Sequence, residues 1–532
     1  MAPGSEIAIC ILSRLPKELL HTVLAYLANR DIKNLRATCR AVRDVAHLRL
    51  GRVFLSANSL NIQVFRAVAN HDAFRHGVTE IIWDDARLLS DADLSRDRIR
   101  SNGQRSDDTV AGTTDCPRWF SEGRQNSLEH CFNVSPTSDN KLPDHVLTLE
   151  SSWSYYKQLL QDQVTVLESA SDVQALKYGL QRFPSLKRIT LTPAAHGVLL
   201  NPVYESPMIR SFPEGFGYPL PRGWPRAEHH SAPIEAFPWQ GSEHQRLYGP
   251  DCSIEDYREK WRGFRVLTRT LAETEHQVSE FIVNVHHMDT GINCHIFDQP
   301  CREYDDFAAL LKKPGFRRLH LALFTGFLEH ENWVSYRSGY LREALAEAKD
   351  LEHIALSSTM DIDANGFPAQ IADPEDFEED LLLPLQTIFP IDRWPRLKHF
   401  GLSQFLVKQS DLVSLLEALP DSLRSLELSY LAFLDGDDCY KNLLCEIRDT
   451  LDWRKRSVAQ RPKVTIALQR EMHQTPGRFV LVDKAADSFL YSDGLNPFGE
   501  CDYSNNVVEG RGAVERHRLD PSFERAYRLN DV

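Results

Sequence analysis

The sequence predicts an α/β protein: a short helical unit at the N-terminus, then a long body of alternating strands and helices broken by long insertions. Three observations carry this. An apolar stripe of helical period starts at Leu15, and two more short helical segments follow before Leu50. A motif of one apolar residue, two variable residues and then apolar-x-apolar returns along residues 78–468. Segments of helical period separate its copies. A chain of 532 residues also exceeds what one ordinary core serves, so several units or one elongated repeat domain are expected.

The helical unit spans residues 13–50. Pro16 suits a first helical position, where its missing N–H costs nothing, and Glu18 complements the positive end of the helix dipole. Leu15, Leu19, Val23 and Leu27 recur every four residues, with Leu20 and Leu24 beside them, giving a stripe wide enough for more than one neighbour. Asp31 is a good N-cap for a second helix carrying Ile32 and Leu35, and Thr38 can cap a third carrying Ala41, Val42 and Val45. Three such helices cannot bury all this apolar surface among themselves, so the rest of the chain or another protein must cover it.

This segment resembles the F-box. Leu15-Pro16-Lys17-Glu18-Leu19-Leu20, Val23-Leu24, Leu27, Asp31-Ile32, Leu35 and Cys39-Arg40 follow that family's pattern, with Ile32 where Leu is common. The resemblance is to a fungal-type F-box protein. It implies docking onto a Skp-type adaptor, which in turn binds a cullin and a RING subunit, through Leu15, Pro16, Leu19, Leu20, Val23, Leu24 and Leu35. The alternative is a helical cap packed on its own chain.

The body is expected at residues 51–470. The motif stands at Leu186/Ile189/Leu191, Phe316/Leu319/Leu321, Leu351/Ile354/Leu356, Leu397/Phe400/Leu402 and Leu423/Leu426/Leu428. Val78/Ile81/Trp83 is a weaker copy, and Phe281/Val283/Val285 and Val464/Ile466/Leu468 keep only the alternation. Alternation at period two means a strand with one buried face. Helical stretches are expected near 304–312, 332–349, 410–419 and 438–453. The pattern resembles an irregular leucine-rich repeat solenoid. Steps of 32, 46, 26 and 41 residues, counted from Leu319 through Leu351, Leu397 and Leu423 to Val464, depart from the usual 20–29 residues. The Asn such repeats carry is replaced by Thr359, Phe405 and Leu431. A generic α/β domain with a parallel sheet is the alternative. Residues 90–145, polar and without apolar period, read as a disordered insertion. Residues 193–250, with ten prolines, read as an ordered but irregular excursion or a mobile cover. Residues 471–532 read as a C-terminal cap with one strand-like run, Phe479 to Val482, and a polar tail.

The composition excludes several function classes. A formal net charge of −14 argues against a general nucleic-acid binder. No run of eighteen apolar residues occurs, so a soluble cytoplasmic or nuclear protein without membrane partners is expected. The ten scattered cysteines read as reduced thiols. No nucleophile elbow, phosphate-binding glycine loop, dinucleotide fingerprint or H-E-x-x-H is present, so no enzyme and no cofactor are expected. His286, His287, Cys294, His295 and Cys301 cluster, but their spacing fits no standard zinc site and no metal is assigned. His229 and His230 lie in the proline-rich excursion without carboxylates nearby, and Cys39 reads as packing.

A surface is the better functional candidate. If the apolar strand residues point inward, those between them point to the open face. Arg188, Arg318, His353, His399 and Ser425 then form one column, and Thr190, His320, Ala355, Gly401 and Glu427 the next. The first column, basic or titratable, suits an acidic or phosphorylated segment. Arg188, Arg318, His320, His353, His399 and Glu427 are the target-binding candidates. The function expected is a substrate receptor of an SCF-type ubiquitin ligase, with an unidentified target protein. An F-box protein outside ubiquitination, or an α/β enzyme with a helical cap, are the alternatives.

Overall fold

The computed structural model describes residues 15–90, 116–132, 143–225, 236–240, 253–326, 333–359, 382–434, 438–469, 477–499 and 508–527, apart from Ala28, Cys39, His47, Asp144, Arg222, His287, Glu509, Arg511 and Leu519. The readings of Cys39, His287, His229 and His230 lie outside these residues.

The N-terminal unit contains α1 (Lys17–Ala25), α2 (Asn29–Thr38) and α3 (Arg40–Val45). Pro16 is the N-cap of α1, one place earlier than expected. Helix α2 begins at Asn29, so Asp31 stands in its first turn, where its charge still favours the positive end of the dipole. Thr38 ends α2 and donates to Leu35 O at 2.6 Å; it does not cap α3. Leu20, Leu24, Ile32, Val42 and Ala46 form a small separate core, with Leu15, Leu27, Leu35, Val45 and Leu48 against it. Two polar clasps close it. Arg36 Nη1 reaches Arg43 O (3.0 Å) and Ala46 O (2.6 Å), and Asn29 exchanges bonds with the backbone of Arg49 at 2.6 and 2.9 Å.

The body is a mixed α/β structure built on a ten-stranded parallel sheet. Its main path runs in chain order: β1 (Arg52–Leu55), β2 (Glu80–Asp84), β3 (Arg188–Thr192), β4 (Glu280–Val283), β5 (Arg318–Phe324), β6 (His353–Ser357), β7 (His399–Ser403), β8 (Ser425–Ser429) and β9 (Lys463–Thr465). The short strand Ile292–Asn293 pairs with β5 off this path. Each motif copy supplies one strand, and its apolar pair is buried: Ile189 and Leu191, Leu319 and Leu321, Ile354 and Leu356, Phe400 and Leu402, Leu426 and Leu428. The apolar residue three places before each pair is buried as well, at Leu186, Phe316, Leu351, Leu397 and Leu423. Burying one such side chain is worth roughly 1.5–3 kcal/mol. The pairing sets Leu319 opposite Ile354, so the step there is 35 residues, not the 32 counted to Leu351.

Helices pack on the inward face of the sheet. These are α4 (Ser59–Asn70), α7 (Ser171–Arg182), α8 (Arg262–Glu273), α9 (Arg302–Leu311), α10 (Tyr340–Ala346), α11 (Gln409–Ala418), α12 (Tyr440–Thr450) and α13 (Asp483–Tyr491). Phe65, Leu176, Leu267, Leu310, Leu345, Leu415, Leu444 and Phe489, one from each, join the strands' inner residues in one continuous core. Local chemistry sets their starts: Asn58 Oδ1 accepts from Leu60 and Asn61 N–H, and Cys301 Sγ accepts from Tyr304 N–H.

Two regions differ from expectation. The polar stretch 90–145 contains a fifteen-residue helix, α5 (Arg118–Phe132). With α6 (Leu149–Ser169) and residues of the proline-rich segment it builds a second core around Trp119, Phe120, Trp153, Tyr156, Phe216 and Tyr218. Apolar period is weak in α5 because its apolar residues sit at its two ends, Trp119 and Phe120 at the start and Leu128, Cys131 and Phe132 towards the finish, with a polar stretch between them. The C-terminal residues form a four-stranded antiparallel sheet, β10 (Ala467–Gln469), β11 (Arg478–Leu481), β12 (Val514–His517) and β13 (Asp520–Ala526), where one strand and a polar tail were expected. Cys439 is disulfide-bonded, against the expectation of ten free thiols, while Cys116, Cys131, Cys294, Cys301 and Cys445 are free.

Gly179 marks how closely α7 approaches α4: a Cβ there would stand 2.3 Å from Phe65 Cζ. Gly179→Ala should lower stability by about 1–3 kcal/mol, because the Phe65 ring has no room to withdraw within a packed core. A lower thermal unfolding midpoint, with the far-ultraviolet spectrum unchanged at low temperature, is the expected result.

Candidate functional site

Parallel pairing lines the open-face residues up across the sheet. The first column reads Arg52, Glu80, Arg188, Glu280, Arg318, His353, His399, Ser425 and Lys463. The second reads Phe54, Ile82, Thr190, Ile282, His320, Ala355, Gly401, Glu427 and Thr465. The two columns expected from sequence are thus adjacent in space, in the register the motif implies. Glu280 was missed between Arg188 and Arg318. Val278, buried three places before Phe281, completes the motif there and would have revealed that strand's register.

Glu280 changes the electrostatics. Arg188 pairs with it at 2.6 Å, and Arg52 pairs with Glu80 at 2.7 Å. Thr190 donates to the other Glu80 oxygen at 2.6 Å. Arg188 is therefore neutralised and does not offer a free charge to an anionic segment, which corrects the sequence reading. Arg318 Nε donates to His320 Nε2 at 3.1 Å. The imidazoles of His353 and His399 lie 5.9 Å apart, and those of His320 and His399 6.2 Å apart, each pair near parallel. Burial, with Arg318 and the neighbouring imidazoles, holds His320 down to about 3, and burial holds His399 down to about 4. Burial and Arg318 lower His353 as well. The histidine column is neutral at neutral pH, so the basic character expected from sequence reduces to Arg318.

The open face is not open throughout. The segment after β3 folds back over β1–β3. Tyr204 packs its ring 6.1 Å from Phe54 and 5.6 Å from His286. Beneath it lies a buried cluster: His196 Nδ1 meets Tyr218 Oη at 2.9 Å, and its Nε2 stands 4.0 Å from Asp84 Oδ2. Trp224 ties the same segment down by donating to Asp85 Oδ2 at 2.8 Å, which also accepts from Gly263 N–H at 3.1 Å.

Beyond this roof, strands β4–β8 line a cavity of about 230 Å³, with Asn284, His286, His320, Ser357, Ser403, Gln404 and Glu427 among its walls. Its space comes from the small residues Ala355 and Gly401 in the second column. A Cβ on Gly401 would stand 2.9 Å from Ala355 Cβ and 3.3 Å from His399 Nε2. His286 and Gln404 both have left-handed backbone, φ 51° and 57°, at strand ends on the rim. Such strain costs about 1 kcal/mol or more per residue and persists only where the surroundings impose it. Burial raises the Glu427 carboxyl above the usual range; Ser429 Oγ, at 3.5 Å, is its hydrogen-bond donor.

The sequence cluster of His and Cys does not converge. His295 is engaged by Asp298 (2.7 Å) and Ala236 O (2.8 Å), Cys294 Sγ points to Thr325 O (3.9 Å), and Cys301 caps α9. No group of three metal-ligating side chains with suitable geometry occurs among the described residues.

On the N-terminal unit, the stripe divides into two. Leu20 and Leu24 are 4% and 6% exposed and belong mainly to the unit's own core, whereas Leu19 and Val23 are 54% and 41% exposed. Pro16 is exposed, and Leu15 and Leu35 are half-buried. Leu20 is therefore not a surface contact as expected; it holds the helices that present Leu19 and Val23. An open apolar groove of about 430 Å³ runs along Val23, Leu24, Leu27, Asp31, Asn34, Leu35 and Thr38.

Against known families, the F-box domain matches residues 12–50. No curated protein matches the chain. F-box domains generally bind Skp-type adaptors and are typically parts of non-enzymatic adaptor proteins, so the match points to an adaptor-binding role of the SCF type. Among the described residues no helix is long and apolar enough to cross a membrane.

The Asp84 cluster gives a pH prediction. Burial pushes its carboxyl up to about 8 and holds His196 down to about 3. The folded chain keeps the Asp84 proton while the unfolded chain releases it near 3.8, so the folded state binds the extra proton. Stability at this site should therefore fall as pH rises from about 4 towards 8 and level off above. Asp84→Asn should flatten the decline in thermal midpoint between pH 5 and 8; an unchanged slope would remove Asp84 as its source.

Proposed function

We propose that this chain is a substrate-receptor subunit of an SCF-type ubiquitin ligase, with helices α1–α3 on a Skp-type adaptor and the body on a target protein. The observation that carries it is the F-box match at residues 12–50, on a unit that leaves Leu19, Val23 and the 86% exposed Tyr26 outward beside an apolar groove. Apolar side chains set at helical spacing around such a groove are what a partner helix needs. Leu20 and Leu24 act from below by fixing the helix positions.

The body is read as an irregular leucine-rich-repeat-like solenoid. Strands that follow one another in chain order, in one register, with helices on a single face, support that reading. Its insertions cover one end of the open face and leave β4–β8 for a target. The receptor makes no bond itself: holding a target near a charged conjugating enzyme raises the local concentration of its lysines. A soluble cytoplasmic or nuclear setting fits this role.

Leu19→Asp combined with Val23→Asp should abolish co-purification of the adaptor, a loss of at least a hundredfold, since two charges would have to be desolvated in an apolar contact. The thermal midpoint of the body should stay unchanged, because both side chains point outward. Undiminished adaptor binding in a folded double variant would overturn the docking assignment. Leu20→Asp should instead unfold the helical unit.

A further inference from the structure

The cavity on the open face has a charge character opposite to the one its sequence suggested. Its far wall is Glu427, whose carboxylate forms no ion pair among the described residues and accepts only the long bond from Ser429. The one charge that acts on it is another acid, Asp483, and this is among the reasons its carboxyl is raised. Gln404, also on the wall, donates to a further buried acid, Asp289, at 3.1 Å. The cations of the first column are engaged elsewhere: Lys463, on the neighbouring strand β9, stands 3.9 Å from Asp483, and Arg318, on β5, donates to His320. Of the remaining polar lining, which includes Asn284 and His286, the hydroxyls of Ser357 and Ser403 can accept, while His320 Nε2 already accepts from Arg318.

Size adds a second argument. A space of about 230 Å³ holds one long side chain, or a handful of waters at ~30 Å³ each. It exists because Ala355 and Gly401 stand in a column whose other members are larger. Small residues beside a half-buried, unpaired carboxylate leave a slot with an acidic end. A cation entering it would recover the Coulomb energy and the hydrogen bonds that Glu427 lacks.

We propose that this cavity receives a single basic side chain, an arginine or lysine carried by the target, with Glu427 as its carboxylate partner and Ser357 and Ser403 as further acceptors. The inference rests on the receptor reading above and deepens it by naming what the target must present. The open face, with its side chains at a strand's spacing, suits an extended segment that lowers this one side chain into the slot. It also replaces the acidic or phosphorylated segment that the sequence columns suggested.

Saturation-transfer NMR on the full chain bound to its adaptor tests this with small probes: N-acetyl-arginine N-methylamide, the lysine equivalent, and the citrulline equivalent, which keeps the shape of arginine without its charge. The arginine or lysine probe should give at least fivefold more transfer than citrulline. Glu427→Gln should reduce it to the citrulline level, and Glu427→Asp should retain part of it. Glu427→Gln should fold, since the raised carboxyl shows that a neutral group is tolerated there; its thermal midpoint checks this. Equal transfer to arginine and citrulline, or full transfer in Glu427→Gln, would overturn the proposal. Ubiquitin-remnant profiling with the proteasome blocked separates the two levels. Remnants that depend on the wild-type chain and are lost in Glu427→Gln support both readings. Remnants retained in Glu427→Gln, with probe transfer also retained, overturn the slot and leave the receptor standing. No chain-dependent remnants would overturn the receptor reading, while the probes still decide the slot.

Discussion

The parallel register shared by the strands of the main sheet is the constraint on which the rest of this structure depends. At each junction the residue before a strand extends the ladder: Arg188 N–H reaches Thr79 O, Arg318 N–H reaches Ser279 O, His353 N–H reaches Arg317 O, and His399 N–H reaches Glu352 O, at 2.9 to 3.1 Å. A slip of one residue at any pair would turn Leu319 and Leu321, or Ile354 and Leu356, to the open face and drive Arg318 and His320, or His353, inward. The cost of exposing two apolar side chains and burying a charge is several kcal/mol at once. Register is thus strongly specified by burial, and the open-face columns are its by-product. Arg188 meets Glu280, and Ala355 meets Gly401, because the inner residues leave them no other neighbours.

Given that register, insertions decide which part of the face is usable. The proline-rich segment holds its place through polar groups that are costly to bury alone and favourable when paired. Trp224 and Gly263 satisfy Asp85, and Trp239 shares Glu303 with Arg265 at 2.9 and 2.8 Å. These ties fasten the segment to α8 and α9. Its aromatic residues then spread over β1–β3, where Tyr204, Tyr218 and His196 exclude water from Asp84. The same burial that neutralises the histidine column raises Asp84 and Glu427. Desolvation is the common cause, and it penalises whichever charged form a group would carry.

The two units use apolar surface differently. In the body the inward apolar strand residues are sealed beneath helices, and Phe54 on the other face is met by Tyr204. In the N-terminal unit the core is too small to absorb the stripe, so Leu19, Val23 and Tyr26 stay outward. A small unit that exposes apolar residues in a row beside a groove is built for contact. The body instead carries a polar slot beside the small residues Ala355 and Gly401. The N-terminal unit and the body thus have separate cores.

Much was legible in the sequence because it depends on short-range periodicity. Period two placed the strands that contain Ile189, Leu319, Ile354, Phe400 and Leu426, and from those positions the two columns follow by counting. The spacing of Leu15, Leu19 and Val23 marked the first helix, and the residues from Leu15 to Arg40 carried the F-box resemblance. What only the tertiary structure decided rests on contacts between residues far apart in the chain. Glu280 lies 92 residues from the Arg188 it neutralises, and His196 lies 112 residues from Asp84. Residues four apart on α1 divide into Leu20 and Leu24 inside and Leu19 and Val23 outside only once α2 and α3 choose a side. A side chain's charge and exposure are properties of its neighbours. The local sequence fixes which face a residue takes, and folding across the chain fixes what it meets there.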